Sequence, residues 1–169
     1  METLVRLNIE LLTDLESHLT KMDNELYAKP MKSLSYSSIG QHIRHVLEFY
    51  LAITEAVDSG FLCYDDRRRN EALQTHRGQA LLVIQEVNSN LEKINVEQEL
   101  NLSANYSTKD DGGVRMTTSL SRELAYGMDH AIHHMAIIKS TLENNGVKLS
   151  GSFGLAPSTY RYNKKTCVQ

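Results

Sequence analysis

Proline is almost absent from this chain: Pro30 and Pro157 are its only two, and the long stretch between them has none. The residue that removes a backbone donor and breaks helices is thus missing where helical periodicity is strongest. Leu4, Leu7, Leu11, Leu12, Leu15 and Leu19 recur at three- and four-residue spacing, which predicts a first helix from about Glu2 to Leu26 with one apolar stripe. Ser37 or Ser38 is a natural N-cap for a second helix, which runs to Ser59 and stops at Gly60. A third is expected from Asp66 or Arg67 to Asn95, burying Leu73, Ala80, Leu81, Ile84, Val87 and Leu91. A fourth spans Thr118 to Asn144, with Ser119 as cap and Gly146 as stop. Four amphipathic segments bury their stripes most simply against one another, so the expected class is all-α, an antiparallel four-helix bundle.

One segment breaks the pattern. Leu100, Leu102, Ala104 and Tyr106 alternate with polar residues, which is a strand period. Lys109 to Gly113 is turn material, and Val114 to Thr117 could return. A short hairpin, or else a long loop, is therefore expected between the third and fourth helices.

The 169 residues suit one domain: a bundle core over about 1–145, a packed tail over 146–163 and a mobile end over 164–169. With 41% apolar and 23% charged residues the chain should be globular. No apolar run approaches the ~20 residues needed to cross a bilayer, so no membrane partner is expected. The N-terminus lacks the pattern of a signal peptide, which points to the cytoplasm. Cys63 and Cys167 form no disulfide framework and lack metal-ligand spacing, so both read as reduced thiols. A net charge of −3 gives nucleic acid no global attraction, and the run Arg67-Arg68-Arg69 is flanked by Asp65, Asp66 and Glu71.

Histidine carries the chemistry. His130, His133 and His134 fall within five residues of the fourth helix, and His42 and His45 lie in the second. His130 and His134 are four apart, so their imidazoles stack on one face and can chelate a divalent ion. That face also holds Glu123, Tyr126 and Gly127, the glycine leaving room beside the imidazoles. His133 lies at its edge. A third nitrogen from the second helix, from His42 or from His45, would complete a set with an open coordination position, which suits catalysis better than a closed site. Lone His18 and His76 read as hydrogen-bonded or exposed. The metalloprotease helix motif is not present, because Ala131 stands where its glutamate would be.

The motif Ser38-Ile39-Gly40-Gln41-His42-Ile43-Arg44-His45, followed by His130-Ala131-Ile132-His133-His134, resembles the two signatures of the DinB-like (DinB/YfiT-like) superfamily of metal-dependent proteins. The resemblance covers about residues 1–145, and 154–162 resembles a tail found in some members. It implies a four-helix bundle of up-down-down-up topology. It also implies one divalent ion, zinc or nickel before manganese or iron, held by His45, His130 and His134. His42 is the alternate first ligand, and His133 is a neighbour of the ligand pair.

The enzyme reading that follows is a thiol transferase joining a low-molecular-weight thiol to a small electrophile. Water in place of the thiol would make a hydrolase. Tyr126, Glu123 and Arg44 are candidate polar helpers, with Glu123 placed to accept from an imidazole N–H. The competing reading is a non-catalytic bundle whose metal or histidine cluster ties helices together or senses metal, acting through partners. The first helix, Ala52 and Ala56 offer surface for a homodimer.

Overall fold

A computed structural model describes residues 2–109, 111–149 and 151–166. The leucine stripe forms α1 (Glu2–Thr20), in which Leu12, Leu15 and Leu19 are buried. The helix does not continue to Leu26. Asp23 takes an extended conformation and its carboxylate accepts from the Leu26 N–H, capping a separate short helix, α2 (Asn24–Ala28). A side chain that satisfies the backbone locally competes with helix continuation.

The second helix is α3 (Ile39–Ser59). Ser38 caps it with a full capping box: its hydroxyl accepts from Gln41 N–H, and the Gln41 side chain accepts from Ser38 N–H. Gly60, at φ 68°, ends it in the left-handed conformation that glycine tolerates best. The predicted third helix is two, α4 (Glu71–Thr75) and α5 (Arg77–Leu91), because His76 between them is extended, at φ −123° and ψ 100°. The fourth is α6 (Leu120–Asn144), capped by Ser119 as expected. In the tail, Phe153 is buried and α7 (Pro157–Thr166) carries Lys164 and Lys165 in its last turn. The expected mobile end thus begins inside a helix, and residues 167–169 lie outside the described residues.

The all-α four-helix bundle is not what forms. Among the described residues there are seven α-helices and a three-stranded mixed sheet. The segment read as a hairpin or a loop is a pair of antiparallel seven-residue strands, β2 (Glu99–Asn105) and β3 (Gly113–Ser119), with Leu102 opposite Met116. The third strand, β1 (Phe61–Cys63), directly follows Gly60 and pairs parallel to β2, with Leu62 opposite Leu102. Parallel neighbours need a crossover, and α4 and α5 supply it. Three residues are too few to show a period, so nothing local announces β1. What selects it is long-range: Leu62, Leu100 and Leu102 are all buried, so the sheet covers part of the helical core.

Within that core α3 lies against α5 and α6, and α1 lies against the same two helices. Tyr50 of α3 is fully buried and donates to Asn8 of α1 at 2.7 Å, so this polar pair deep between the helices is satisfied. None of the described helices is long and apolar enough to cross a membrane.

Candidate metal centre

The close approach of α3 and α6 builds the site. Gly127 of α6 sits against α3, and a Cβ there would meet Ile53 Cδ1 at 3.0 Å. The glycine therefore makes room for the neighbouring helix rather than for the imidazoles beside it. One turn further along α6, His130 and then His134 face α3, which presents His45 and, one turn earlier, His42.

His45, His130 and His134 come together. Each offers one ring nitrogen, and these three atoms all lie within 4.8 Å of one another. His45 Nε2 and His130 Nε2 are 2.9 Å apart, and the three ring centroids are 4.7–4.9 Å apart with steep interplanar angles. His42 stands behind them, its Nδ1 2.8 Å from His134 Nδ1 and its Nε2 buried without a hydrogen-bond partner. His133 is exposed, its ring 5.4 Å from that of His134.

All four inner rings are held in the neutral form. Burial pushes the His45 pKa down to about 4, helped by His130 and Arg67. Burial pushes that of His134 down to about 3, with His45 and His130 adding to it. His42 and His130 are lowered too, first by burial and then by His133. Neutral imidazoles carry free lone pairs, so the cluster has the protonation state that metal ligation requires. Two neutral rings can also share one hydrogen, and the 2.8 and 2.9 Å contacts have that length.

The donors fit a divalent transition ion. Three imidazoles suit zinc, nickel, iron or copper chemistry better than magnesium or calcium, which prefer oxygen. A tetrahedral ion with nitrogen bonds of about 2.1 Å sets its ligands about 3.4 Å apart. The triad brackets that spacing, and small ring rotations would meet it.

Aromatic side chains wall one side. Phe49, one turn past His45, stacks on His130 at 4.3 Å and on Tyr64 at 4.5 Å. Tyr126 lies 5.7 Å from His130, and the Arg67 guanidinium lies 5.1 Å over Phe49. Arg67 and Arg44 each bring Nε to 3.8 Å from the buried Glu48, whose other oxygen accepts from Asn70 N–H. Of these, Phe49 is legible as a neighbour of His45 at i, i+4. Tyr64 and Arg67 follow β1, and no spacing signal places them here.

Several expected residues do other work. Glu123 is buried, but its oxygens accept from Tyr64 Oη at 2.6 Å and Thr118 Oγ1 at 2.7 Å, not from an imidazole. Burial, and then the bond to Glu123, drives the Tyr64 pKa up, so its hydroxyl stays a donor. Arg44 donates to Gln74 at 2.6 Å, away from the triad. Ala56 is buried in the chain's own core, so it supplies no dimer surface. His18 sits against Asp14 O and the Phe153 ring, and His76 against Thr75 Oγ1, as local hydrogen-bonded histidines. Cys63 is half-buried and free; Cys167 lies outside the described residues.

No protein-family model and no solved structure matches the chain. A stretch of 107 residues, 62% of the chain, is 37% identical to a protein of Rhizopus delemar named FK506-binding protein 5. The match spans 28% of that relative's length, so most of the named protein lies outside the region shared with this chain.

Proposed function

We propose that the chain is a DinB-like metal-binding protein of the cytoplasm that acts on small molecules. In this reading His45, His130 and His134 hold one divalent ion, zinc or nickel. The observation that carries it is the convergence of three neutral ring nitrogens from two helices within 4.8 Å of one another. The kinship rests on the two histidine motifs alone, since the sheet departs from the helical bundle that the resemblance implies.

The reaction we propose is transfer of a low-molecular-weight thiol to a small electrophile. A divalent ion with an open position lowers the pKa of a bound thiol or water, which is the chemistry such a site supplies. The chain's own residues orient the triad. His42 shares a hydrogen with His134 Nδ1 and so fixes that ring's rotation. Phe49 and Tyr126 keep water from one side of His130.

A non-catalytic histidine cluster is the second reading. It is favoured by the two N···N contacts of 2.8 and 2.9 Å, which let the rings satisfy one another.

One experiment separates the two. Protein purified without a histidine tag is assayed for bound metal and for conjugation of bacillithiol, mycothiol, glutathione or cysteine to a model electrophile. Wild type should hold one equivalent of metal and lose its rate on chelation. His134→Ala should lose both. A stoichiometric metal in the His130→Ala, His134→Ala double variant would remove the ligand assignment. Equal rates for wild type and His134→Ala would leave the cluster non-catalytic.

A further inference from the structure

On the far side of the aromatic wall, between α6 and the strands, lies a cavity of about 390 Å³. That is within the usual range of small-molecule sites, about 300–1,000 Å³. Six elements or loops build it, so it depends on the mixed sheet and would not exist in a plain bundle. Phe49 comes from α3, Tyr64 and Arg67 from the loop after β1, Leu102 from β2, Met116 from β3, and Arg122 and Tyr126 from α6.

Its lining selects a ligand class. The Phe49 and Tyr64 rings are stacked, and Tyr126 lies 5.8 Å from Tyr64 and 6.1 Å from Phe49. Three rings with Leu102 and Met116 favour a flat apolar body, because ring stacking adds to burial. Two guanidiniums stand at the wall, Arg67 over Phe49 at 5.1 Å and Arg122 over Tyr126 at 5.0 Å. Arg67 Nε is buried with no hydrogen-bond partner, its nearest carboxylate oxygen being 3.8 Å away on Glu48.

Both acids of the cavity already hold hydrogen-bond donors, Glu123 through both oxygens and Asp65 through one. Glu123 accepts from Tyr64 and Thr118, with Arg122 Nη1 3.6 Å away, and Asp65 accepts from Asn105 N–H. Arg67 gives Nη1 to the Tyr64 carbonyl and keeps its Nε without a partner, and Arg122 is 60% exposed, so both guanidiniums retain free donors. Guanidinium forks match carboxylates, and a flat anion uses rings and forks together.

We infer that this cavity binds a small aromatic carboxylate. Phe49 and Tyr64, stacked on His130, stand between the cavity and the histidine triad. The cavity is a binding site apart from the metal centre, and the inference does not rest on the function proposed above.

The test is calorimetry and amide chemical-shift mapping on the full chain with 2-naphthoate as probe. Cyclohexanecarboxylate and 2-naphthalenemethanol serve as controls that lack the ring system or the charge. Titrations are run in chelator and with added zinc, while zinc binding is measured separately. 2-Naphthoate should bind with Kd on the order of 10⁻⁴ M, and each control should bind about tenfold more weakly or worse. Shift changes should centre on Tyr64, Met116 and Tyr126.

Arg122→Gln and Met116→Ala alter exposed side chains, so the fold should hold. Each should weaken 2-naphthoate about fivefold or more without changing zinc stoichiometry. No saturable binding at millimolar probe, or an unchanged Kd in both variants, overturns the inference. Absence of zinc binding would instead overturn the metal reading, and the chelator titration would still report on the cavity.

Discussion

Taking metal-free protein from pH 7.5 to pH 5 should cost about 2 kcal/mol of folding stability through His45 and His134 alone. Both rings are held neutral when folded, at pKa values of about 4 and about 3, because burial disfavours the imidazolium. In the unfolded chain each titrates near 6.5. The unfolded state therefore binds more protons below that value, and stability falls as pH falls. The loss begins near 6.5 and is complete only below the folded values. At pH 5 the difference for one ring is about 1.5 pH units at 1.36 kcal/mol each, or about 2 kcal/mol. The rings are only half-buried, and solvent screening reduces this to about 1 kcal/mol per ring. The size at pH 5 depends on the unfolded value and hardly on how far below 5 the folded one lies. Stopping there also keeps most carboxylates out of the titration. The assay is urea unfolding in chelator at four pH values, for wild type and for the His45→Gln, His134→Gln double variant. The variant should show a slope shallower by about 2 kcal/mol over the range. Superimposable pH dependences would refute the argument, because the two rings would then be protonated alike in both states.

Gly40→Ala should destabilise the fold by about 2 kcal/mol or more, since overpacking a closed contact forces backbone to move. The new Cβ would stand 2.1 Å from the Gln74 carbonyl oxygen and 2.7 Å from Tyr27 Cε1, and thermal unfolding measures the loss. Tyr50→Phe should cost about 1–3 kcal/mol by leaving the Asn8 amide oxygen buried without its donor. Urea midpoints measure it, and Asn8→Leu in the same background should recover part of the loss.

The helices were legible where their signals are local. Ser38 with Gln41, Gly60 and Ser119 mark ends that a reader of the chain alone can place, because a cap is a contact between residues three or four apart. The errors come where a distant partner or a competing local bond decides. Asp23 closes an Asx-type bond to Leu26 and splits the first helix. Asn70 uses its side chain on Ala72 and its N–H on Glu48, which starts α4 later than Asp66 or Arg67. β1 exists because β2, some forty residues later, offers it an edge.

The site divides along the same line. His130 and His134 stack because they are four apart on one helix, and that is visible in the sequence. Their meeting with His45 needs α3 and α6 side by side, which Gly127 permits by contact with Ile53, a residue of the other helix. Glu123 shows the cost of reading one face in isolation. It shares a helix face with His130, yet Tyr64 and Thr118 reach its oxygens from the loop after β1 and from β3. A buried carboxylate takes whichever donors the fold delivers, and here the expected hairpin and the unexpected strand before Tyr64 deliver them. The loop after β1 and the strands of the hairpin close the aromatic cavity, so the unexpected third strand and the pocket have one cause.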